Sequence, residues 1–149
     1  MHKLFSQLSQ SQLKQDIFVL FETEFKRNGY FVEFGATNGI SLSNTYLLEK
    51  HFNWSGILAE PATCWHDELL KNRSCAIELS AVYPISNQIV EFNQTLDQGL
   101  STIHAYTESG NGKDTRANGI KYPVNTISLM DLLNKYSAPN VIDYLSIDT

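Results

Sequence analysis

Apolar residues in this chain come in short bursts, and the stretches between the bursts carry a different period. "YFVEF" (Tyr30–Phe34), "GILAE" (56–60), "CAIELSAV" (75–82), "QIVEF" (88–92) and "VIDYLSID" (141–148) are compact runs rich in β-formers. Nearly continuous apolar runs of this length suit strands buried on both faces. "YPVNTI" (122–127) predicts a further short strand, and "QIVEF" is either a fourth buried strand or one arm of a hairpin. Between the bursts the spacing is helical. Ser11–Arg27 places Leu13, Ile17, Leu20, Phe21 and Phe25 on one face and ends at Asn28-Gly29, a left-handed stop. "SNTYLLEKHF" (43–52) predicts a helix with Leu42, Tyr46 and Leu47 inward and Ser41 or Ser43 as its cap. Pro61 opens another through Trp65, Leu69 and Leu70, ending near Asn72. Ser128 and Asp131 form a capping-box pair ahead of Leu129, Leu132, Leu133 and Tyr136, with Pro139 as the stop.

Strands alternating with helices, at connections too long for hairpins, predict an α/β fold with a mostly parallel sheet and helices on both faces. In such sheets ligands bind beyond the carboxyl ends of the strands. That rule gathers "GATNG" (Gly35–Gly39), Glu60, Ser80-Ala81 and Asp148 on one rim, because each directly follows a predicted strand. Between Asp97 and Lys121 the regular patterns fail: the stretch is polar and holds four glycines. Loops that long in a compact domain are usually functional or mobile.

Composition narrows the function classes. The 149 residues suit a single domain, read as an N-terminal helical segment (1–28) followed by an α/β part (30–149). A net charge of −5, from 11 Lys+Arg against 16 Asp+Glu, speaks against nucleic acid as a partner. No run is apolar enough for a signal peptide or a membrane span. Two cysteines, Cys64 and Cys75, lie outside any metal-ligand spacing, so no metal site is expected. A cytoplasmic protein with reduced thiols is the expectation.

The rim residues carry the candidate chemistry. Gly35 and Gly39 bracket a turn that needs positive φ or close backbone approach, and the helix after it could offer free N–H groups to a carboxylate or a phosphate. Glu60 ends the second strand about 20 residues after that turn, where an acid can accept both hydroxyls of a ribose. The alternative for Glu60 is a solvated carboxylate beside Pro61, favoured by the helix dipole. The nicotinamide fingerprint G-x-G-x-x-G is absent, because Thr37 stands where a pyrophosphate needs a second glycine. A ribose-bearing cofactor without pyrophosphate fits better than a dinucleotide. Glu33 lies inside the first strand and needs a partner there, either nearby backbone N–H groups or an ammonium group on a cofactor.

Taken together, "FVEFGATNGISLSNTYLLEK", "GILAEP", "YPVNTISLMDLL" and "VIDYLSIDT" resemble the FkbM family of S-adenosylmethionine-dependent methyltransferases, from about Gln10 to the last residue. The resemblance implies a Rossmann-like class I methyltransferase sheet and O-methylation of a sugar, glycan or polyketide-like hydroxyl. It implies that Glu33, Gly35, Ala36 and Gly39 contact the methionine part of the cofactor, with Ser43 adding a side-chain contact. Glu60 would then take the ribose, and Ser80-Ala81 would lie beside the adenine. Asp148 would sit near the transferable methyl, where it could orient a hydroxyl, act as base, hold a metal ion or contact the cofactor amino group. His104 and Arg116 are further base or acid-binding candidates in the long loop. The family pattern continues past "SIDT" with Glu-Gly-x-Glu and more strands. The expectation is therefore a partial domain of weak or no activity, its last strand an exposed edge open to self-association. Two other readings stand beside this one: a nicotinamide-dependent oxidoreductase or sugar-nucleotide epimerase, and a non-catalytic remnant.

Overall fold

Side chains of the two best-defined apolar runs alternate between two separate cores, and this alternation places helices on both sides of one sheet. The computed structural model describes residues 2–95, 101–103 and 117–147. In chain order these form α1 (His2–Leu8), α2 (Gln15–Glu22), β1 (Tyr30–Phe34), α3 (Tyr46–Phe52), β2 (Ser55–Ala59), a 3-10 turn (Thr63–Trp65) and α4 (His66–Asn72). They continue with β3 (Ala76–Glu78), β4 (Ala81–Val82), β5 (Ile89–Gln94), β6 (Thr102–Ile103), β7 (Ile120–Ile127), α5 (Leu129–Lys135) and β8 (Tyr144–Ile147).

The first sheet runs β3-β2-β1-β8 and every pairing in it is parallel. Phe31 and Leu58 point into a core with Leu20, Leu47, Leu48, Phe52 and Leu69 from α2, α3 and α4. Val32, Phe34, Ile57 and Ala59 point the other way, onto Leu132 of α5 and Ile127. Each fully buried aliphatic of this kind contributes roughly 1.5–3 kcal/mol. The register pairs Phe34 with Ala59, Ala59 with Glu78, and Phe34 with Ile147. All four strands therefore finish level, on one edge. Chain order reverses at β1, which has β2 on one side and the much later β8 on the other; such a switch point opens a crevice beyond the strand ends. β3 and β8 are the edge strands of this sheet among the described residues, and Leu145 and Ile147 of β8 are exposed.

The second sheet is mixed, in the order β4-β7-β5-β6: β4 is parallel to β7, and β5 is antiparallel to both β7 and β6. Phe92, Val124, Ala81 and Ala62 form its small core, with Trp65 and Tyr122 packed against them. The run "CAIELSAV", expected as one strand, is two. Ser80 N–H turns back onto Glu78 Oε1 at 2.9 Å, which breaks the ladder and sends Ala81-Val82 into the second sheet.

Three helices are shorter than the sequence pattern predicts, and α4 starts only at His66, after the 3-10 turn, rather than at Pro61. α2 begins at Gln15, whose amide is capped by Ser11 Oγ at 3.0 Å, and left-handed Glu24 and Phe25 follow its end. Its buried residues are Asp16, Ile17, Val19 and Leu20, while Leu13 and Phe21 face solvent. Ser11 instead bridges to Leu42, which is itself left-handed and exposed rather than inward. α3 starts only at Tyr46. The α5 cap is present as expected: Ser128 Oγ accepts from Asp131 N–H at 3.2 Å. No helix among the described residues is long and apolar enough to cross a membrane.

Candidate functional site

Three of the five residues in Gly35–Gly39 are left-handed: Gly35 (φ 77°), Thr37 (φ 46°) and Gly39 (φ 80°). A Cβ on Gly39 would lie 2.6 Å from Arg73 Cγ and 2.8 Å from Leu69 Cδ1, so glycine is required there. Thr37 is the unusual member, since a β-branched residue rarely tolerates positive φ and surrounding contacts must hold it. Two contacts do so: its N–H donates to Glu60 Oε2 at 2.8 Å and its Oγ1 donates to Ser41 O at 3.3 Å. Gly35 N–H donates to Ala59 O at 2.9 Å, which carries the β1–β2 pairing into the turn. Asn38 Oδ1 accepts from Ile40 and Ser41 N–H at 3.0 and 2.9 Å, folding the next residues into a side-chain-closed turn.

Glu60 is 4% exposed and bridges the ends of β1 and β2. Besides the Thr37 amide it accepts Ala62 N–H on Oε1 at 2.8 Å. Burial raises the carboxyl pKa, and the two amide bonds only partly oppose that. A carboxylate offers about four lone-pair positions, and the amides use one on each oxygen. Two acceptor positions remain, on an acid bonded to both turns.

Glu33 is 2% exposed, and its partners all lie within the chain. It accepts Asn44 N–H at 2.7 Å, Ser43 Oγ–H at 3.1 Å and the Thr45 hydroxyl. Burial pushes its pKa up, against these bonds and the Arg73 charge. One of these partners, the Asn44 amide, is backbone, and the other two are side-chain hydroxyls. Ser43 Oγ also accepts from the Thr45 and Tyr46 amides at 3.2 and 3.1 Å, and from Arg73 Nη1 at 3.1 Å. The expectation of free amides opening the helix after the turn is therefore corrected. The N–H groups of residues 44–46 are occupied by Glu33 and Ser43, and α3 starts seven residues beyond Gly39.

Arg73 went unnoticed in the sequence. It is buried, donates from Nε to Glu49 at 2.7 Å, from Nη1 to Gly39 O at 3.0 Å, and from Nη2 to Thr45 Oγ1 at 2.9 Å. The only signal for it was indirect: a carboxylate inside a strand needs a cation somewhere. Glu78, at the end of β3, was missed as well; it accepts Lys135 Nζ at 2.7 Å and lies beside Tyr136.

The structure thus brings Gly35, Ala36, Gly39 and Glu60 together at adjacent strand ends, with Ala36 buried in the first core. Ser80 and Ala81 follow the next strand end, and Glu60 N–H donates to Glu78 O at 2.9 Å, linking the two exits. Asp148, His104 and Arg116 lie outside the described residues. The second sheet reaches the same rim. Thr63 N–H donates to Tyr122 Oη at 2.9 Å, and Tyr122 donates to Gln94 Oε1 at 2.7 Å. On the α5 side, an open hollow of about 430 Å³ lies between Phe34, Ile147, Val82–Pro84 and Ser128–Met130. Comparison with known proteins finds no matching family model, no matching curated protein and no matching solved structure.

Proposed function

We propose that this rim binds S-adenosylmethionine and that the chain is a methyltransferase domain of the FkbM type, acting on a hydroxyl of a sugar, glycan or polyketide-like acceptor. The observation that carries the reading is the 2.8 Å bond from Thr37 N–H to Glu60 Oε2. It sets the acid closing β2 against the glycine turn closing β1, at the strand switch point. In this reading the two unused acceptor positions of Glu60 take the vicinal ribose hydroxyls. The Gly35–Ala36–Gly39 turn borders the amino-acid end, with Glu33, Ser43 and Arg73 fixing its shape from beneath. Ser80-Ala81 border the base. The cofactor, when bound, supplies an electrophilic methyl on a sulfonium. The chain's contribution is alignment of donor and acceptor, with Asp148 as the proposed group that orients the acceptor or accepts its proton.

Thr37 argues against the nicotinamide reading. Its side chain stands, in a left-handed conformation held by Glu60 and Ser41, where a pyrophosphate would need bare backbone. Calorimetry separates the two. Titration with S-adenosylhomocysteine should give one saturable site, and NAD should give no heat at the same concentrations. Saturable NAD binding with silence toward S-adenosylhomocysteine would reverse the assignment.

A further inference from the structure

We propose that α2 pairs with α2 of a second copy of this chain, antiparallel across a twofold axis, so that Phe18 meets the partner's Phe18 and Lys14 meets the partner's Glu22. The helix buries Ile17, Val19 and Leu20 in the first core and turns a second apolar surface outward. Leu13, just ahead of it, is 78% exposed, Phe18 64% and Phe21 47%. The apolar surface continues past the helix end. Phe21 packs edge-on against Phe25 with ring centroids 5.1 Å apart, and Phe5 lies 5.8 Å from Phe25 and 5.5 Å from Phe52. The Arg27 guanidinium covers the Phe52 ring. Exposed apolar side chains gathered on one helix, continuous with a run of packed rings, mark a binding surface.

The charges of α2 say what covers that surface. Lys14 is its N-cap and Glu22 its last residue, both are exposed, and Phe18 stands midway, four residues from each. Each charge sits at the end its own helix dipole disfavours, the cation at the positive N-terminus and the anion at the negative C-terminus. A second α2 laid antiparallel over the first reverses both relations. Helix residues rise about 1.5 Å each, so a pairing centred on Phe18 sets every Lys14 and Glu22 about 6 Å along the axis from the centre, level with the partner's opposite charge. Twofold symmetry repeats each contact, giving two Lys14–Glu22 pairs around one Phe18–Phe18 contact. Rings at the centre and charges at the periphery follow the usual anatomy of a protein interface. An anionic lipid surface fits less well, because the exposed Glu22 and Glu24 adjoin Phe21. The β8 edge fits less well too, because Tyr144–Ile147 carry no charge to fix a partner's register.

Sedimentation of the whole chain over a concentration series tests the pairing, without any cofactor. Wild type should pass from monomer to dimer. Phe18→Glu should weaken the dimer about a hundredfold, while its urea midpoint, taken where wild type is monomeric, stays close to wild type because the side chain is exposed. Lys14→Glu should weaken the dimer about fivefold by setting like charges opposite each other. Combining Lys14→Glu with Glu22→Lys should restore it, a rescue that depends on the antiparallel register. Leu145→Glu, on the β8 edge, should leave the dimer unchanged. A chain that stays monomeric up to millimolar concentration would overturn the pairing. So would a dimer lost in Leu145→Glu and kept in Phe18→Glu, or a double variant no tighter than Lys14→Glu. A monomer that instead binds phosphatidylglycerol vesicles, and loses that binding in Phe18→Glu, would overturn it in favour of a lipid surface.

Discussion

Arg73 donates into Glu49, Gly39, Ser43 and Thr45 at once, and its guanidinium lies over the Phe31 and Tyr46 rings. The turn after β1 thus depends on charges that its own residues do not carry. The Glu49 carboxyl records the coupling: burial disfavours its charged form, yet Arg73 and the Ser74 amide overcome this and hold its pKa at about 2. An acid whose pKa is lower folded than unfolded stabilises the fold above the unfolded value, near 4.5, and loses that contribution as pH falls toward 2. Glu33 and Glu60 work in the opposite sense, since burial raises both and their protonation favours the folded state. Glu49→Gln should therefore be less stable than wild type at pH 7, and the gap should close between about pH 4.5 and 2. Urea midpoints across that range check this, and a gap independent of pH would contradict it. At this scale the sequence was half legible. Glu33 and Glu60 stand out as acids in or after apolar runs, whereas Arg73, in "KNRSC", follows no pattern that marks it as buried.

Among the elements, α5 starts on the side chain its sequence marks as the cap. Ser128 Oγ accepts the Asp131 amide, and Ser86 Oγ accepts the Ser128 amide, so the helix start is tied to the loop after β4. Ser128→Ala should cost about 1 kcal/mol, as loss of an N-cap typically does, measured by urea denaturation; a change within ±0.2 kcal/mol would contradict the cap. This element was readable because a capping box is a local signal. The starts of α2 and α3 were not. Ser11 and Leu42, both expected within helices or facing inward, pair with each other across the chain, and Lys14 and Leu42 adopt left-handed conformations. Tertiary pairing overrode helical spacing at both positions. The break between β3 and β4 was hidden for a related reason: "CAIELSAV" is uniformly strand-like, and only the Glu78–Ser80 turn divides it.

For the whole molecule, strand–helix alternation was enough to predict the parallel sheet, the helices on both faces and the shared rim. Periodicity could not reveal the second sheet. Its strands pair across long sequence separations, as Val90 does with Val124, and its short members carry too few residues to show a pattern. Yet that sheet supplies Tyr122 and Gln94 to the turn that follows Glu60, so part of the rim comes from the part hardest to read. Everything functional turns on one juxtaposition, the Glu60 carboxylate between the Thr37 and Ala62 amides. A ligand that hydrogen-bonds this carboxylate must perturb both N–H groups. Backbone amide spectra of the ¹⁵N-labelled chain, titrated with S-adenosylhomocysteine, should show the Thr37 and Ala62 resonances among the most strongly shifted. Saturable shifts confined to other regions, such as the exposed β8 edge, with Thr37 and Ala62 unmoved, would contradict it.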